Sequence, residues 1–132
     1  MTIDRRNPPG LSQPTGYSHI AIVPAGRQLH ISGQVALDAN GNVVGKGDIG
    51  AQAEQVFANL KTALAAGGAD VGKVFKLVTY VVNLTPAMLP PIRAARAKCF
   101  GDGPYPASTL VGVTALVNPD LLLEVEAIAA LD

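Results

Sequence analysis

A chain of 132 residues, 48% hydrophobic and 15% charged, suits one compact domain and is too short for two. Ten Lys plus Arg balance ten Asp plus Glu, so no long-range field gathers phosphates or an anionic membrane, and nucleic acid is not an evident partner. The lone Cys99 allows no internal disulfide, the amino terminus has no apolar core after its charges, and no segment reaches the roughly 18 uninterrupted apolar residues of a membrane helix, which makes a reducing cytoplasm the expected location.

Residues 1–16 hold Pro8-Pro9-Gly10 and Pro14-Thr15-Gly16, which favour turns, and are expected to form an extended arm on a single domain spanning 1–132. Residues 17–24 and 27–37 are strand-like, rich in Ile and Val and separated by Ala25-Gly26, the pattern of a hairpin. In the second of these, Leu29, Ile31, Gly33 and Val35 fall on one side, with His30, Ser32, Gln34 and Ala36 on the other. Asn40-Gly41 suits a turn at positive φ. Asp48 is the expected N-cap of a helix to about residue 66, because Ile49, Ala53, Val56, Phe57, Leu60 and Leu64 recur at three- and four-residue intervals and Gly67-Gly68 follows.

Residues 71–83 read as a strand apolar on both faces, with Val74, Val78, Tyr80 and Val82 on one and Phe75, Leu77 and Val81 on the other. Thr85 and Pro86 can open a second helix, but Pro90-Pro91 removes two backbone donors and is expected to delay or kink it before Ile92. Ile92, Ala95 and Cys99 then give a narrow apolar stripe, which Gly101-Asp102-Gly103-Pro104 ends. The last quarter reads as two strands joined by a turn at Asn118-Pro119-Asp120.

In the final strand, alternation puts Glu124 and Glu126 on one face beside Leu122 and Ile128. A solvated face would be polar throughout, so this mixed face is expected to be covered by a partner subunit or to wall a pocket. The order β-β-α-β-α-β-β defines an α+β fold. Its two helices cover only one face of the sheet, and the apolar remainder predicts a homo-oligomer.

Gly16-Tyr17-Ser18-His19, Ile31-Ser32-Gly33-Gln34-Val35, Gly41-Asn42-Val43-Val44, Gln52-Ala53 through Asn59-Leu60, Val78-Thr79-Tyr80-Val81, Pro106-Ala107 and Glu124-Val125-Glu126-Ala127-Ile128-Ala129 stand in order along nearly the whole chain. With them the sequence resembles the RidA (reactive intermediate/imine deaminase A) family. The resemblance implies a chorismate-mutase-like fold, two helices on one face of the sheet, and a homotrimer whose sheets form a central barrel with ligand sites between subunits. It also implies hydrolysis of imine tautomers of reactive enamines to a keto acid and ammonia, with no cofactor and no metal. By the same resemblance Glu124 orients the attacking water, while Tyr17, Ser32, Gly33, Ser108 and Leu110 contact the substrate.

One position departs from that pattern. The archetype has an arginine directly after Pro-Ala that grips the substrate carboxylate, and here Ser108 stands in its place. A hydroxyl carries no charge and offers one donor instead of a fork. Pro91 falls near an asparagine of the archetype, removing a second polar contact. The sequence therefore points to an imine or enamine hydrolase with altered specificity, for a substrate smaller, less acidic or more apolar, or alternatively to a non-catalytic trimer that binds a small metabolite. Arg93 and Arg96 lie near the family cleft in sequence, although helix-borne arginines are usually solvated or paired at the surface.

Other features read as structural. His19 and His30 lack an organised set of metal-ligating partners, Glu126 suits interface pairing, and Cys99 has no paired base. Gly41, Gly45 and Gly47 lack the Gly-Lys-Ser/Thr ending of a phosphate loop. An endoribonuclease is disfavoured by zero net charge and by three Phe and three Tyr without Trp, and a chorismate mutase by too few cations for a dicarboxylate.

Overall fold

The computed structural model describes residues 2–132. In chain order the elements are β1 (Asp4–Arg6), β2 (Ile20–Ile22), β3 (Gln28–Gln34), α1 (Ile49–Ala66), β4 (Val74–Val82), α2 (Leu89–Phe100), β5 (Ala107–Val113) and β6 (Leu123–Ala130). Four strands form the main sheet in the order β3-β6-β4-β5, and β1 pairs with β2 in a separate two-stranded sheet. All pairings are antiparallel except β4 with β5, which the crossover through α2 makes parallel. This is the expected α+β architecture.

Helix α1 forms where its period and caps direct. Asp48 Oδ1 accepts the Ala51 N–H at 3.0 Å, and Gly67 N–H donates to Ala63 O at 3.0 Å to close the last turn. Its buried stripe, Ala53, Val56, Phe57, Leu60 and Leu64, packs with Ile31, Leu77, Val81, Leu123, Val125 and Ala127 of the sheet and with Ile92 and Ala95 of α2 in one core. Both helices thus cover the same sheet face. Fully burying each large aliphatic there contributes about 1.5–3 kcal/mol before entropy is counted.

Several expectations are corrected. Residues 17–24 and 27–37 do not pair as a hairpin: β2 is three residues long and takes β1 as its partner, so the expected arm itself contains a strand. The two strands expected in the last quarter are present as β5 and β6, with β4 between them because β6 inserts between β3 and β4. The strand expected from residue 71 begins at Val74, after a 3-10 turn at Val71–Lys73. A register shift between Val74 and Lys76 turns Val74 into the core, leaving Lys76, Val78, Tyr80 and Val82 on the opposite face. Pro90 and Pro91 do not delay α2, which starts at Leu89. They occupy its first turn, where the backbone N–H groups lack intrahelical partners in any case.

Candidate active site

The residues expected to act together lie in two groups, on opposite faces of the sheet. β5 pairs Ser108 with Leu77 and Leu110 with Thr79, both of which are buried on the helix-covered face. Tyr17 joins them because Ser18, next along the chain, forms a parallel bridge with Ala107 at the edge of β5. Ser18 N–H donates to Pro106 O at 3.0 Å and its hydroxyl to Tyr105 O at 2.7 Å, pinning the segment there. Tyr17, Ser108 and Leu110, with Thr15, Leu84, Leu89, Arg93 and Arg96, line a cavity of about 410 Å³ between this segment, β5 and α2.

Arg96 reaches this cavity at close quarters. Its Nη2 donates to Thr15 O at 3.2 Å. Gly16 has φ +73, and a β-carbon there would fall 3.2 Å from the Arg96 guanidinium carbon and closer still to Nη2. The positive φ favours glycine here, and a β-carbon would in addition push the Arg96 guanidinium aside. Burial pulls the Arg96 pKa below its ordinary value, the like charge of Arg93 acts in the same direction, and Tyr105 opposes both. Among the described residues neither Arg93 nor Arg96 takes part in a salt bridge.

Glu124 belongs to the other face. It stands opposite Tyr80 on β4, and Val111 on β5 continues the same row. A register shift between Ile31 and Gln34 sets Ser32 and Gly33 in a bulge beside it, with Ser32 exposed. A β-carbon on Gly33 would fall 2.7 Å from Glu124 Cγ and overlap the carboxylate, so the bare glycine seats that side chain. The neighbouring Glu126 accepts a hydrogen bond from the Tyr80 hydroxyl at 2.5 Å. That bond raises the Tyr80 pKa above its ordinary value, with burial and the charges of Glu126 and Glu124 adding to it. Val78, Val82 and Ile128 on this face are only half-buried, and Val111 is exposed.

One chain thus brings Glu124 together with Gly33 and the Ser32 bulge, and Tyr17 together with Ser108 and Leu110. It does not bring Glu124 to Ser108, since β4 separates their strands and the two side chains leave opposite faces.

Gln52 acquires a role that its place in a quoted motif did not disclose. Fully buried, it donates through Nε2 to Asp120 O at 2.8 Å and Gly45 O at 3.2 Å, and its Oε1 accepts the Leu122 N–H at 2.8 Å. It therefore clamps the turn that launches β6 and Glu124. Its position on the apolar stripe of α1 was the available signal, because a buried amide there must be satisfied by backbone. Among the described residues no cluster of three or more His, Cys, Asp or Glu is arranged to hold a metal, and no helix is long and apolar enough to cross a membrane.

A four-stranded sheet with two helices on one face and a cavity at its parallel edge defines the class. The family model described as endoribonuclease L-PSP matches residues 10–131, and the chain belongs to that family, which includes the RutC and RidA proteins. It is 43% identical to YyfB of Yersinia pestis, a member of the conserved Rid family, whose crystal structure superposes with a TM-score of 0.93 over 98% of this chain and 99% of that one. It is 30% identical to the 2-iminobutanoate/2-iminopropanoate deaminase of Salmonella typhimurium, over 97% of this chain and 95% of the relative. A RutC family protein of Pyrococcus horikoshii is 35% identical, over 81% and 82% of the two chains.

Proposed function

We propose that the protein is an imine or enamine hydrolase acting on a small reactive metabolite, in a homotrimer whose sites are completed between subunits. The observation that carries this reading is the division of the site. Tyr17, Ser108 and Leu110 line a cavity at one edge of the sheet, while the Glu124 carboxylate sits over Gly33 on the uncovered face. A neighbouring copy that covers the half-buried valines and Ile128 of that face would also bring its own cavity edge to Glu124. The likeness to a named imine deaminase over nearly the whole chain supports the same chemistry.

The reaction asks little of the protein. Water adds to the electrophilic imine carbon, a proton moves to nitrogen, and the carbinolamine expels ammonia to leave a carbonyl. Glu124 accepts a hydrogen bond from the water and aims it, while the cavity holds the substrate in place. Ser108 sets specificity, because the site lacks an arginine at that position. Zero net charge gives no support to a nuclease reading.

The test is ammonia release from freshly generated 2-iminopropionate and from an uncharged imine, using the wild type, Ser108→Arg and Glu124→Gln, with assembly measured by sedimentation. Release above the buffer rate that Glu124→Gln abolishes, in a trimeric protein, is the expected result. No acceleration on either substrate overturns the hydrolase. Ligand binding without turnover would leave the alternative, a non-catalytic metabolite-binding trimer, which the replacement of the arginine by Ser108 favours.

A further inference from the structure

We propose that Tyr80 is a positioning residue for Glu124: by donating its phenolic O–H to Glu126 it holds that second carboxylate aside and leaves Glu124 as the carboxylate that takes the water. The inference rests on reading Glu124 as the water-aiming group. It gives Glu126 a partner within its own chain, where the sequence suited it to pairing across an interface.

Three observations carry it. Residues two apart on β6 share a face, so the α-carbons of Glu124 and Glu126 lie about 7 Å apart and their side chains are long enough to meet. Both are half-buried, and two carboxylates brought together in that setting repel each other and compete for the same donors. Register sets Tyr80 directly opposite Glu124 and Val78 opposite Glu126, yet the Tyr80 hydroxyl reaches along the diagonal to Glu126 Oε1 at 2.5 Å. Glu124 instead rests over the bare backbone of Gly33 in the β3 bulge. Because β6 lies between β3 and β4, the two carboxylates lean to opposite sides of their own strand.

The other titratable groups of this face do not supply that restraint. Lys76 and His30 both stand opposite Ile128, where Lys76 Nζ lies 3.5 Å from Thr109 Oγ1 and His30 Nε2 lies 3.0 Å from Gln28 Oε1. Among the described residues neither forms a salt bridge with Glu126. Tyr80 also keeps its proton more firmly than an ordinary phenol, through its bond to Glu126, with burial and both carboxylate charges adding to it. It therefore serves as a fixed donor and not as an acid in the reaction.

Carboxyl-carbon NMR of the full chain, labelled with carbon-13 glutamate, reads the arrangement directly, since the chain has three glutamates, Glu54, Glu124 and Glu126. Tyr80→Phe should move the Glu124 and Glu126 signals while Glu54 stays in place as a mark of the retained fold. The double variant Tyr80→Phe/Glu126→Gln should return the Glu124 signal toward its wild-type position. In the ammonia-release assay Tyr80→Phe should lower kcat about tenfold with KM within about twofold, and the double variant should recover most of that loss, which a residue serving only to pack would not do. A Glu124 signal unmoved by Tyr80→Phe overturns the positioning role whether or not turnover is seen. So does a double variant that is no faster, and no nearer the wild-type shift, than Tyr80→Phe alone. No turnover in the wild type overturns the hydrolase, and the carboxyl signals then decide the positioning by themselves.

Discussion

Replacing Gln52 by leucine tests how the β6 turn is held. The substitution keeps the side chain's size but strips the partner from two backbone groups, Asp120 O and Leu122 N–H, while Gly45 O keeps the Asp48 N–H. The two groups are part-buried, so each falls near the lower end of the 1–3 kcal/mol cost of an unsatisfied group, about 2 kcal/mol together. Leucine returns about 1 kcal/mol through its more apolar surface. The net loss is about 1 kcal/mol, which for a chain of 132 residues lowers Tm by about 4 °C. Melts followed by circular dichroism at one fixed protein concentration read the shift, since self-association would otherwise move Tm. Gln52→Glu is the companion. Two carbonyls facing a buried carboxylate raise its folded-state pKa, so its deficit against wild type should be large at pH 7 and shrink toward pH 5, where the protonated acid donates one bond. A leucine variant that melts within about 2 °C of wild type would refute the clamp.

Two further expectations concern single positions. Gly33→Ala should displace the Glu124 side chain, whose Cγ would lie 2.7 Å from the new β-carbon, cutting ammonia release by about tenfold or more with little change in Tm; full activity would show that the carboxylate's seat is not used. Burial pushes the Cys99 thiol above its ordinary pKa, with Lys61 opposing, so an aromatic disulfide reagent should label the native protein roughly tenfold more slowly than the unfolded chain at pH 7, and faster as pH rises. Equal rates in the two states would contradict that burial.

Helix α1 was legible because its period, its Asp48 cap and its terminating glycines are local signals. The alternation of β6 was legible for the same reason, and Glu124 and Glu126 share the half-exposed face that alternation assigns. Pairing was not. β6 lies between β3 and β4, which precede it by at least forty positions, and nothing in its own residues names those partners. Register shifts beside Ser32 and Val74 break a parity that the eye carries straight through. Gln52 meets its partners 68 and 70 positions away, beyond any local pattern. Tyr17, Ser108 and Leu110 line one cavity, and Arg96 joins them from α2 although helix-borne arginines are usually solvated. Its guanidinium lies close to Gly16 and donates to Thr15 O, 81 positions earlier in the chain, a proximity that no local pattern discloses.

The back-to-back arrangement of Glu124 and Ser108 has a consequence for damage. In the proposed closed ring, each junction would draw its carboxylate from one copy and its cavity from the next, so lesions would be counted by junction and not by molecule. A population carrying a broken cavity, mixed with one carrying a broken carboxylate, would regain some intact junctions although neither population works alone.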